Sequence, residues 1–187
     1  MEGKVIYFDR PGTENTDEVL RIARLRAEEL GIKTILVAST TGGTAVKAAG
    51  VFKGMRVIAV SHSTGFKETD TQEFTDENKR KVESKGAIVL TTTHTFAGVS
   101  RTMRKKFNMY LLGDIMASTL RVLGQGMKVV CEIAMMAADS GLVRTDEDVI
   151  CIAGTGRGAD TAVVLKPVNS ENFFDMRVKE ILCKPHF

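Results

Sequence analysis

The feature that most limits what this chain can become is a unit that recurs along it. A short, unbroken apolar run is followed by a loop of small polar residues and then by helix-forming sequence. Thr34–Ala38 leads into residues 39–44, and Arg56–Ser61 leads into 62–66. Residues 87–91 lead into 92–95, and 148–153 into a glycine loop at 154–159. Runs that are apolar at every position predict strands buried on both faces. Cycles of this length predict βαβ units, hence a mostly parallel sheet with helices on both sides.

The connecting segments fit that plan. Residues 4–8 predict a strand ending in the turn cluster Asp9-Arg10-Pro11-Gly12. Thr16 is expected to cap a helix whose buried face is Val19, Ile22, Ala23, Ala27 and Leu30, closed by Gly31. Residues 44–51 and 75–85 predict two more helices, the second charged and exposed. Residues 96–107 and 109–140 read as helical, with Gly113, Gly124 and Gly126 expected to break the longer stretch. Residues 127–138, rich in Val, Met and Ala, read as core packing. Residues 161–166 follow the glycine loop too closely for a parallel crossover, so that strand is expected to be antiparallel. Residues 176–184 predict an edge strand. The 187 residues are read as one domain.

In such a sheet the carboxyl ends of the strands open on one edge, where ligands bind. Ser39, Thr40, Thr41, Gly42, Gly43 and Thr44 place four hydroxyls and two glycines directly before a helix. Backbone N–H groups at a helix start have no partner within the helix, and hydroxyls add short hydrogen bonds. Together they make an anion site, most naturally for phosphate. A plain helix cap is the alternative, but a cap needs one hydroxyl. Gly154, Thr155, Gly156, Arg157, Gly158 and Ala159 match Gly-x-Gly-x-x-Ala, yet a strand rather than a helix follows. A dinucleotide fingerprint is therefore rejected. A loop whose N–H groups and Arg157 reach a phosphate or a ring edge fits better, beside the simpler reading as a hairpin turn. His62, Ser63, Thr64 and His94 follow buried strands and are expected to line the same edge.

Other chemistries lack their residues. There is no Gly-x-x-x-x-Gly-Lys loop, no Gly-x-Ser-x-Gly elbow and no His-Glu-x-x-His pair. The three cysteines, Cys131, Cys151 and Cys183, stand apart in apolar surroundings, so buried thiols are expected rather than a zinc site or disulfides. Neither nucleic acid nor a membrane is expected as a partner. The net charge is only +3 and is scattered, and no apolar stretch reaches the roughly 18 residues of a membrane span. The start of the chain runs straight into strand-like sequence, so no signal peptide is expected. These features imply a cytoplasmic setting. A homodimer is expected only because such assemblies are common.

With the loops placed, the chain resembles the pyruvate kinase C-terminal domain family. Three blocks carry the likeness: residues 35–45, Arg56–Ser61, and 141–154 running on to 163–167. The resemblance implies a three-layer αβα sandwich of strand order 3-2-1-4-5, its last strand antiparallel. The first and fourth strands would lie side by side, so 39–44 and 154–158 would flank one cleft. In full-length pyruvate kinases the matching loops can hold an allosteric sugar bisphosphate. Ser39, Thr40, Thr41 and Thr44 would take its phosphate here. An arginine usual in the first loop is Gly43, however, and there is no tryptophan for the second loop. Both departures weigh against that ligand. The catalytic barrel does not fit in 187 residues beside this domain, so pyruvate kinase activity is not implied.

The chain is also similar to small stand-alone archaeal and bacterial members, in length and in its Gly-Thr-Gly-Arg-Gly-Ala-Asp-Thr loop. That resemblance implies flavin mononucleotide (FMN) as the ligand. The first expectation is therefore a domain that binds a phosphorylated small molecule, FMN foremost, with a flavin redox reaction if it is an enzyme. The alternatives are a regulatory module for a sugar phosphate or nucleotide, and a phosphatase or phosphotransfer enzyme using His62 or His94.

Overall fold

The computed structural model describes residues 3–186. Seven strands form one sheet: β1 (Ile6–Phe8), β2 (Thr34–Ala38), β3 (Arg56–Ser61), β4 (Ile88–Thr91), β5 (Val149–Ala153), β6 (Thr161–Lys166) and β7 (Arg177–Pro185). Six helices accompany them: α1 (Thr16–Leu30), α2 (Gly43–Val51), α3 (Asp76–Glu83), α4 (Ser100–Phe107), α5 (Leu112–Arg121) and α6 (Gln125–Asp139). The spatial order is β1-β7-β6-β5-β2-β3-β4. Counting from β2, the run β4-β3-β2-β5-β6 is the expected 3-2-1-4-5. β6 is antiparallel to β5, with Ile152 opposite Ala162.

Alternation along the strands produces the three layers. Ile35 and Val37 of β2 and Ile150 and Ile152 of β5 pack with Val19, Ala23, Ala45 and Phe52 of the α1–α2 side. The intervening Leu36 and Cys151 face Met127, Val130, Cys131 and Ala134 of α6. Burying each such Ile or Leu is worth about 1.5–3 kcal/mol. Both faces are therefore required, which is why these strands read as continuous apolar runs. Cys131, Cys151 and Cys183 are all buried free thiols. Burial raises Cys131 to about 11 and Cys183 to about 12, so neither is a nucleophile at neutral pH.

Several expectations need correction. β7 is not an edge strand: it lies between β6 and β1, with Ile6 opposite Cys183, and the three-residue β1 is the edge. In α1 the buried face includes Leu20 instead of Leu30, which is exposed. Thr16 does not cap α1; Asn15 holds the cap position without a side-chain bond. The Thr16 hydroxyl accepts instead from the Ala159 N–H at 3.0 Å, tying the glycine loop to α1. Helix begins at Ser100, not 96. Gly124 does separate α5 from α6, with φ 115°, but Gly113 and Gly126 lie inside helices. Gly126 is required by a close approach, because a Cβ there would collide with the Thr161 side chain.

Candidate functional site

The carboxyl ends of β2, β3, β4 and β5 and one face of α6 line a cavity of about 410 Å³. That lies within the roughly 300–1,000 Å³ of small-molecule sites. It is lined by Ser39, Thr40, Thr41, Thr44, His62, His94, Gly154, Gly156, Arg157 and Gly158, joining loops more than a hundred residues apart in sequence. Gly42, Gly43, Thr64 and Thr155 do not line it, and Ser63 lines a smaller neighbouring pocket with Phe66 and His94.

The loop after β2 is built to leave backbone donors free. The Ser39 N–H donates to Val60 O at 3.0 Å, which continues the β2–β3 pairing. The Ser39 hydroxyl accepts from the Ala45 N–H at 3.2 Å, capping α2. Among the described residues, the N–H groups of Thr40, Thr41, Gly42, Gly43 and Thr44 donate to no protein acceptor. They sit at the positive end of the α2 dipole. The Ser39 hydroxyl keeps its own proton to donate.

The loop is held from behind by α3. Thr75 N–H and Asn78 Nδ2 both donate to Thr41 O, at 3.3 and 2.9 Å. Gly42 has φ 96°, and a Cβ there would lie 2.5 Å from Asn78 Cβ and 2.7 Å from the Phe74 ring. Gly42→Ala is therefore expected to cost about 2–4 kcal/mol, from left-handed strain plus overpacking. Gly43→Ala meets nothing within 4 Å and should leave stability nearly unchanged. Chemical denaturation of the two variants reads the difference; equal losses would contradict the packing.

On the opposite side, the buried Asp160 braces the glycine loop. Its Oδ2 accepts from the Thr155 N–H at 2.9 Å and its Oδ1 from the Thr161 hydroxyl at 2.8 Å. A strand, β6, and not the helix that a dinucleotide fingerprint requires, follows the loop. Arg157 lines the cavity and makes no side-chain hydrogen bond to the described residues, so its guanidinium can serve a ligand.

Sequence reasoning missed the wall supplied by α4, α5 and α6. Arg104 pairs with Asp114, Arg121 Nε donates to Gln125 Oε1 at 2.7 Å, and Lys128 pairs with Glu132. All six line the cavity. Lys128 and Glu132 were visible as two charges four residues apart in an otherwise apolar stretch, a pattern a core helix carries only when the charges pair. Phe66 is a second addition. Its ring stacks on His62 and His94 at 4.1 and 4.7 Å between centroids, and the Arg101 guanidinium lies 3.8 Å from its centre.

Both histidines are held by carboxylates. His62 Nδ1 lies 2.7 Å from Glu73 Oε2, and His94 Nδ1 lies 3.5 Å from Glu132 Oε2. Burial alone would raise the Glu132 carboxyl. Hydrogen bonds from His94 and Lys128, with the Lys128 charge, outweigh it and hold the group at about 2. Among the described residues, no cluster of three or more His, Cys, Asp or Glu is placed to hold a metal ion. No helix is long and apolar enough to cross a membrane.

The family model described as pyruvate kinase, alpha/beta domain, matches residues 17–165. Among solved structures, a pyruvate kinase from Cryptosporidium parvum aligns with TM-score 0.43 and 10% identity, over 82% of this chain and 23% of that one. Cryptosporidium parvum pyruvate kinase in complex with ADP aligns with TM-score 0.39 and 12% identity, over the same 82% and 23%. The chain thus spans 23% of the length of these pyruvate kinases.

Proposed function

Because this chain belongs to the pyruvate kinase alpha/beta domain family, we propose that it binds a phosphorylated small molecule at the carboxyl edge of its sheet, with FMN as the ligand. The observation that carries the reading is the run of N–H groups from Thr40 to Thr44, free of protein acceptors at the start of α2 and beside the cavity. Five backbone donors, the hydroxyls of Thr40, Thr41 and Thr44, and the free proton of Ser39 form a donor-rich surface suited to a phosphate dianion.

The remaining residues suit the rest of such a molecule. Gly154, Gly156 and Gly158 offer backbone without side chains, and Arg157 offers an uncommitted guanidinium. Phe66, His62 and His94 form an aromatic cluster on the cavity wall, against which a ring could pack. A bound flavin would supply electron transfer, so the protein would need to bind, orient and exclude water rather than provide a nucleophile. The three buried thiols are compatible with that division. A reducing, cytoplasmic setting suits the unpaired thiols.

A second reading, a regulatory site for a sugar bisphosphate, draws on Arg157 as an anchor for a second phosphate across from Thr40–Thr44. Equilibrium titration separates the two. FMN quenched on binding, and bound far more tightly than riboflavin, supports the flavin reading. A melting temperature raised by sugar bisphosphates but not by FMN favours the second. No response to any phosphate ester rejects both.

A further inference from the structure

His94 is where the cavity meets a buried charge network. It lines the main cavity and two smaller pockets. Its Nδ1 faces Glu132, which is 3% exposed and also pairs with Lys128 through the same oxygen. The other Glu132 oxygen accepts from the Phe96 N–H at 3.3 Å. An ionised carboxylate can only accept, so a His94 proton sits on Nδ1, and in the neutral imidazole Nε2 then carries a bare lone pair. That nitrogen is buried and has no hydrogen-bond partner among the described residues. Native proteins keep few such groups, and those they keep call for a partner or a role.

The surroundings narrow what the partner can be. The rings packed on His94 are Phe66 and His62, and His62 is itself occupied by Glu73. Arg101 of α4 is committed to Phe66, stacking on its ring and donating to its carbonyl at 2.9 Å. Lys128 is committed to Glu132. The segment bearing Phe66 is mostly exposed from Thr64 to Gln72, and many of its hydrogen bonds are internal, such as Gly65 N–H to Thr71 O at 2.9 Å. It can yield to an entering ring more easily than the sheet can.

We infer that His94 Nε2 accepts a hydrogen bond from an N–H or O–H of the bound molecule, so that the ligand is a phosphate monoester with a donor at the end away from its phosphate. Glu132 and Lys128 are the positioning residues that fix the imidazole in this tautomer. The inference rests on the phosphate-ester reading of the cavity. It excludes esters whose far end only accepts hydrogen bonds, and it accommodates FMN, whose ring carries an N–H between two carbonyls.

The test uses two probes, FMN and phenyl phosphate, which has no donor on its ring. His94→Phe keeps a ring against Phe66 and removes the acceptor. It should weaken FMN about tenfold, the scale of one hydrogen bond, and leave phenyl phosphate within about twofold. Unchanged FMN affinity, or equal weakening of both probes, overturns the inference while the phosphate reading stands. Failure of both probes on the unaltered protein overturns the phosphate reading and, with it, this ligand assignment. Long-range proton–nitrogen NMR of the unaltered, ligand-free protein gives an independent readout that needs no variant to fold. It should find His94 protonated on Nδ1 and bare on Nε2; the opposite tautomer overturns the inference even if both esters bind.

Discussion

A carboxylate at position 41 removes ligand binding. Thr41→Asp is expected to lower FMN affinity by about a hundredfold or more, while the melting temperature stays within about 2 °C of the parent. The side chain is exposed and lines the cavity, and the interactions that hold the loop reach Thr41 through its backbone carbonyl. An acid in this place therefore disturbs the ligand rather than the fold. Two unit charges about 4 Å apart near a protein surface repel by roughly 4 kcal/mol, and a phosphate dianion roughly doubles the interaction. Thr41→Asn is the uncharged control and should stay within about fivefold of the parent. An Asp variant that bound FMN as well as the Asn variant would place the phosphate elsewhere.

The second large effect concerns stability. Glu132→Leu is expected to cost about 3–5 kcal/mol, because it leaves Lys128, only 8% exposed, as a buried cation without its counterion. It also strips the Phe96 N–H and His94 Nδ1 of their acceptor. Pairing the change with Lys128→Met should recover most of that loss, since an apolar pair of similar volume needs no compensation. Urea denaturation of the single and double variants measures this, and a double variant no more stable than the single one would contradict it. The same carboxyl contributes to acid sensitivity. Its folded-state value, about 2, lies below the ordinary Glu value of 4.5. Its contribution is thus complete above about 4.5 and is lost as pH falls through about 2. The parent protein should lose stability over that window, and a Glu132→Leu/Lys128→Met variant should lose less.

Much of the frame was legible because burial on both faces writes itself into the sequence. The strands around Leu36, Ile58 and Ile150 have no polar position to spare, and each ends at a small polar loop. The glycine loop was readable from Gly154 to Gly158, since the short gap before Thr161 forces an antiparallel return. β7 reads as an edge because its first half, Arg177 to Lys179, is exposed and pairs only with β6, while β1 covers just Cys183–Pro185. Helix breaks were misjudged at Gly113 and Gly126, where the missing side chain serves packing between elements and no local rule detects it. The α4–α5 wall was obscure for a related reason. Val99, Phe107, Tyr110 and Leu112 are exposed apolar residues, which blur the amphipathic pattern. The contact of His94 with Glu132 joins residues 38 apart in sequence, so only the folded chain brings them together.

The proposed phosphate site consists of five backbone amides without partners among the described residues, those of Thr40, Thr41, Gly42, Gly43 and Thr44. Following the amide proton–nitrogen signals during titration with FMN, and separately with riboflavin, reads them directly. These five signals should move most with FMN and stay nearly still with riboflavin, which lacks the phosphate. Saturation by FMN with these amides unmoved, or equal shifts from both compounds, would contradict the account.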